Sequence, residues 1–149
     1  MTEQKSNAAS AKEQGMRLTH SHGPESRLYR AEVTEASSGR IWHMLGLAAK
    51  AGRLKSGGFL TVEAVRGGNA ALVIVTEDAE GNTRKTAEDK CRSYHVPLVY
   101  YGTKDRLGQA IGKGPRACAA VTDQGFADSL MKMFGIQEER GKDGEDESK

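Results

Sequence analysis

The chain predicts a single α/β domain, a three-layer α-β-α sandwich around a small mixed sheet. Three observations carry this. Apolar runs of strand length at Ala71–Thr76, Leu98–Tyr101 and Ala117–Val121 alternate with helical patterns. The run Ala71–Thr76 is continuously apolar rather than alternating, as expected of a strand covered on both faces, so it should be central. The 149 residues fit one domain, and large apolar side chains are concentrated between residues 40 and 135.

Taken in order, Gly39 precedes a helix in which Ile41, Met44, Leu45 and Ala48 recur at helical spacing until Gly52 stops it. Arg53-Leu54-Lys55-Ser56-Gly57-Gly58 reads as a basic, glycine-bearing connection to a second helix from Phe59 to Arg66, closed by Gly67-Gly68. After the central strand, Asn82 or Thr83 can cap a third helix, with Arg84 facing Glu88 and Lys85 facing Asp89 at i,i+4. That helix ends near Tyr94-His95, and Pro97 admits the next strand. Thr103 then caps a short helix reaching Ile111. The loop Gly112-Lys113-Gly114-Pro115-Arg116 leads into the small-residue strand. Asp123 caps a last helix whose Phe126, Leu130 and Phe134 form a core-facing stripe ended by Gly135.

Outside this region the composition changes. Residues 1–39 are rich in Ser, Glu, Gln and Arg and poor in large apolar groups, which predicts a flexible arm. Residues 136–149 carry six acidic side chains against three basic ones, which predicts a solvated acidic tail. Between them, residues 41–135 hold thirteen lysines and arginines against nine aspartates and glutamates, a mildly basic balance compatible with a phosphate-bearing partner.

No apolar run of membrane-spanning length and no export pattern is present, so a cytoplasmic location is expected, with Met16 as an alternative start. Cys91 and Cys118 lack the spacing of a metal knuckle or a disulfide scaffold and read as packing thiols. His20 and His22 have no further ligand nearby, so no metal or cofactor is predicted. The glycine loop at residues 112–116 follows a helix and precedes a strand. A phosphate-binding P-loop needs the reverse order and a Ser or Thr after its Lys. With no Ser/His/Asp set or acid pair evident, the chain is not read as an enzyme.

Leu72-Val73-Ile74-Val75-Thr76-Glu77-Asp78-Ala79, Asn82-Thr83, Asp89-Lys90-Cys91, Val96-Pro97, Leu107–Lys113 and Ala120–Ala127 together resemble the L-seven-Ae ribosomal protein family, in particular its bacterial YlxQ-like branch. The resemblance spans residues 41–135 and leaves both tails uncovered. It implies an α-β-α sandwich that binds kinked RNA stem-loops (kink-turns) without catalysis, as a ribosome- or translation-associated, expectedly monomeric protein. Carried over by position, a first RNA patch would be Lys55, Ser56, Gly57, Gly58 and Phe59, with Glu80 and Arg84 beside it. The second would be Gly112, Lys113, Gly114, Pro115 and Arg116.

Exposed amides at a helix start can meet phosphate or base acceptors, and glycine lets RNA approach closely. Ala117-Cys118-Ala119 would add a small apolar rest for an extruded base. The chain departs from the family at one place: archaeal and eukaryotic members carry an Asn-Glu pair reading sheared G·A pairs and a Lys one turn later, where this chain has Phe59-Leu60 and Glu63. Phe59 is either a base-stacking ring or a core residue at the helix start. The alternative function is a protein-interaction adaptor of the same fold that has lost RNA binding.

Overall fold

Side chains along every strand of the sheet alternate between two helical layers built from different helices. In the computed structural model, which describes residues 27–31 and 33–136, the elements run β1 (Leu28–Arg30), α1 (Glu35–Lys50), β2 (Leu54–Ser56), α2 (Gly58–Arg66), β3 (Leu72–Val75), α3 (Gly81–Tyr94), β4 (Leu98–Tyr100), α4 (Lys104–Ala110), β5 (Cys118–Val121) and α5 (Gln124–Phe134). The sheet order is β1-β4-β3-β5-β2. Strands β1, β4 and β3 are parallel, and β5 runs antiparallel to both β3 and β2. The expected mixed sheet in an α-β-α sandwich is therefore what the chain forms.

The two cores follow the two-residue period of the strands. Leu72, Ile74, Val99, Ala119 and Val121 face Ile41, Trp42 and Leu45 of α1 and Leu130, Met131 and Phe134 of α5. Val73, Val75, Leu98, Tyr100, Cys118 and Ala120 face Ala64 and Val65 of α2 and Ala87 and Cys91 of α3. All four side chains of β3 are fully buried, which is why its sequence is apolar without interruption. The caps sit where the residue types allow: Thr103 accepts from the Arg106 amide and Asp123 from the Phe126 amide. His95 and Gly135 take the left-handed conformation that ends α3 and α5.

The domain begins earlier than composition suggested. Residues 28–39 belong to the domain rather than to an arm, because Leu28 and Tyr29 are buried and β1 pairs in parallel with β4. Thr34 caps α1 by accepting from the Ser37 amide, so that helix starts at Glu35 and runs through Gly39. At the other end Ile136 is buried against the α1/α5 core rather than opening a tail. The remainder of the expected arm and tail, with His20 and His22, lies outside the described residues.

Two smaller expectations also shift. Asn82 does not cap α3; its side chain accepts from the adjacent Thr83 amide, and Glu80 occupies the cap position without a side-chain bond. Lys85 does pair with Asp89 at 3.3 Å. Arg84, however, lies over the Tyr100 ring, 5.0 Å from its centroid, and Glu88 accepts from the Tyr100 hydroxyl.

Two outcomes follow from this packing. Leu28→Ala should cost about 2–4 kcal/mol in urea unfolding, the loss expected of a buried leucine, whereas a peripheral arm residue would cost nothing measurable. Burial pushes both thiols up, Cys91 to about 12. Because the folded thiol stays protonated, its contribution is complete below the unfolded value near 8.5 and is lost as pH rises through that value toward 12. Native protein at neutral pH should resist iodoacetamide at both cysteines and react at both in urea, read by mass spectrometry.

Candidate nucleic-acid interface

The position of β5 decides where the loops meet. Because it runs antiparallel between β3 and β2, its first residue lies beside the last residues of both: Val75 registers with Cys118, and the Gly57 amide donates to the Cys118 carbonyl at 2.9 Å. The Thr76 amide donates to Ala117, and Glu77 to Gly102 beyond the end of β4. Loops following β2, β3 and β4 and the loop preceding β5 are thus gathered at one margin of the sheet, the carboxyl ends of its parallel strands, where α/β sheets commonly hold ligands. The two segments expected from the sequence, residues 55–59 and 112–116, lie together there.

The first segment turns from strand to helix in a single residue. Gly57 has φ of 93°, which only glycine takes without strain, and it caps α2 with no side-chain bond. The first turn of α2 holds no acidic residue, and a Cβ built on Gly57 or Gly58 would meet nothing within 4 Å. The opening amides of α2 therefore face open space in a field favouring anions. Lys55 is exposed on β2, and Phe59 exposes 75% of its surface, so the ring is not a core residue. Asn82, Thr83 and Thr86 of α3 line a cleft of about 160 Å³ with Gly58 and Thr61.

The second segment is braced from beneath. Gly112 has φ of 76°, the Lys113 amide donates to the Gly108 carbonyl at 2.8 Å, and the Gly114 carbonyl rests on Gly108 so closely that a Cβ on Gly108 would overlap it. Arg116 is half-buried, and its Nη1 donates to the Gly114 and Pro115 carbonyls at 3.3 and 3.1 Å. Part of its fork thus holds the loop in shape, a use the sequence did not reveal. Lys113 is exposed.

Lys104 was not singled out from the sequence, yet it ties the margin together. Its carbonyl accepts from the Arg116 amide at 3.2 Å, its amide donates to Asp78 Oδ1 at 3.0 Å, and its Nζ lies 3.2 Å from Glu80 Oε2. Glu80 is therefore bound into the second patch rather than the first. The only sequence signal for Lys104 was its place just after the cap residue Thr103. Against the penalty of burial, which would raise it, the donors around Asp78, the Lys104 amide among them, hold its carboxyl below the usual carboxylate range.

Two expected contributors are displaced. Cys118 and Ala119 are buried within the sheet and cannot support an extruded base. Arg84 is half-buried against Tyr100, whose ring also receives Arg30 from β1 at 5.1 Å.

An α-β-α sandwich presenting glycine turns, open amides and exposed lysines at one end of its sheet defines a small binding module built around loops. The chain belongs to the Ribosomal protein L7Ae/L30e/S12e/Gadd45 family, whose profile matches residues 40–131. It is 44% identical over 98 residues to a Bacillus subtilis (strain 168) protein named RNA-binding protein YlxQ, covering 65% of this chain and 98% of that protein. An Enterococcus faecium protein of the same name is 36% identical over 102 residues, covering 68% and 98%. Among solved structures, a protein with unknown function from Bacillus halodurans C superposes with a TM-score of 0.62 at 40% identity, covering 64% of this chain and 97% of that one. The Giardia lamblia 15.5kD RNA binding protein shares the fold, with a TM-score of 0.57 at 22% identity over 76% and 95% of the two chains.

Gly108→Ala should destabilise the domain by about 1–3 kcal/mol through overpacking, and amide chemical shifts should move most at residues 112–116. Asp78→Asn should leave stability at acid pH closer to that at neutral pH than in the parent. The lowered carboxyl contributes above the unfolded value near 3.9 and is lost as pH falls through the folded one, so urea midpoints at pH 3 and pH 7 check it.

Proposed function

We propose that this margin binds structured RNA carrying a sharp, kink-turn-type bend, in a non-catalytic role associated with the ribosome or with translation in the cytoplasm. The observation that carries the reading is the convergence of Lys55-Ser56-Gly57-Gly58-Phe59 and Gly112-Lys113-Gly114-Pro115-Arg116 on one end of the sheet. A bent duplex brings two backbone segments close together, and two lysine-bearing, glycine-opened loops side by side suit such a target. Family membership and the names of the Bacillus and Enterococcus relatives support the same ligand class.

Within this reading Lys55 and Lys113 are point charges for phosphates, the open amides of α2 receive an acceptor, and Arg116 both shapes its loop and offers its remaining N–H groups to the RNA. Glu80 and Lys104 hold the floor between them. A second reading, a protein-interaction adaptor, is motivated by the exposed Phe59 and Leu60.

Gel shifts against a kink-turn RNA and a straightened variant separate the two. Preference for the kinked form is expected. Equal affinity would leave nonspecific charge attraction, and no binding to either at low salt would favour the adaptor. Lys55→Ala and Lys113→Ala should weaken all RNAs alike and each lower the salt slope by about one unit. Arg116→Ala should cost about 1–3 kcal/mol, mostly on the kinked target. Circular dichroism confirms that each variant is folded.

A further inference from the structure

Phe59 exposes 75% of its surface and Leu60 exposes 46%, at the first turn of a helix whose inward face is Thr61, Ala64 and Val65. The other exposed large apolar residues, Leu47 and Tyr94, stand singly on α1 and at the end of α3. Three ring systems elsewhere are satisfied: Trp42 and Phe134 flank Tyr101 at 5.0 and 5.1 Å, and Arg106 lies over Trp42. The Phe59 ring instead projects from the interface beside the exposed Lys55 and the open Gly57-Gly58 turn.

The rest of the turn offers nothing that could read a base edge. Leu60 is apolar, the Thr61 hydroxyl is buried, Val62 is half-buried, and exposed Glu63 lies 3.9 Å from Arg66. A planar, unpaired ring with no polar reader nearby suits a flat aromatic partner carried on an anionic chain. The cationic and acid-free surroundings favour such a partner over an apolar protein helix.

We infer that Phe59 is the platform on which one unpaired base of the bound RNA stacks, and that the identity of that base is not read. The inference rests on the RNA-binding function proposed above and assigns it a specificity: the bend is recognised by shape and charge, and the flipped base by its π-face alone.

The test uses the full chain and a kink-turn RNA with each of the four bases placed in turn at its unpaired position. Phe59→Ala should weaken binding about 5- to 150-fold, the loss of one base stack. Phe59→Leu, which keeps apolar area but removes the ring, should weaken it nearly as much, and Phe59→Trp should stay within about threefold of the parent. None of the three should alter the salt slope, since no charge changes. With 5-iodouridine at the unpaired position, irradiation should give a crosslink mapping to residue 59 in the parent and not in Phe59→Leu.

Parental affinity in Phe59→Leu, with no crosslink at residue 59, would overturn the inference while leaving the proposed function standing. A preference above about tenfold among the four bases would overturn the claim that base identity is unread. Absence of RNA binding by the parent chain would overturn both. Because the ring is exposed, unchanged melting temperatures should accompany every variant.

Discussion

The antiparallel passage of β5 between β3 and β2 is the constraint from which the arrangement of this molecule follows. Three strands of the sheet run in one direction as the βα rhythm of the chain dictates, and a fourth parallel crossover would have sent the loop before β5 to the opposite end. The reversal instead puts the start of β5 against the end of β2, where the Gly57 amide meets the Cys118 carbonyl. It also lets β2 join a sheet it could not otherwise reach, because its single apolar residue, Leu54, gives it little burial of its own. Small side chains along β5 accompany this position: Ala119 and Ala120 sit between two strands and under two helical layers.

Rigidity at the margin then comes from contacts rather than from depth. Lys104 is the meeting point of Asp78, Glu80 and the Arg116 backbone, and Gly108 is small because the neighbouring loop needs its space. Its Nζ pair with Glu80 is largely exposed and adds little stability by itself, so its value lies in orientation. The backbone bonds carry the position of the loop, and the side chains facing outward remain available. A surface prepared in this way loses less freedom when a ligand settles on it.

Much of this was legible in the sequence because the relevant signals are local. The uninterrupted apolar run of β3, the caps at Thr103 and Asp123, and the stripe through Leu130 and Phe134 each follow from short-range rules that the fold does not override. What was not legible depends on partners far along the chain. Leu28-Tyr29-Arg30 is too short to show a period, and its burial comes from β4, 70 positions later at Leu98. Leu54-Lys55-Ser56 looks like a basic connection until β5 supplies its ladder. Phe59 could not be assigned to core or surface from a helical pattern, since its exposure depends on how α2 leans on the sheet. Arg84 looked like half of an ion pair because nothing local announced Tyr100 as a stacking partner.

Both outer strands of the sheet, β1 and β2, are only three residues long. Each carries a solvent-facing cation, Arg30 on one and Lys55 on the other. Short edges bearing like charge are poor templates for a further strand, and two copies approaching margin to margin would repel before their amides could pair. Lys55 thus protects against aggregation as well as standing beside the loops, so a lysine or arginine at that position is favoured by solubility even in a chain that binds nothing there.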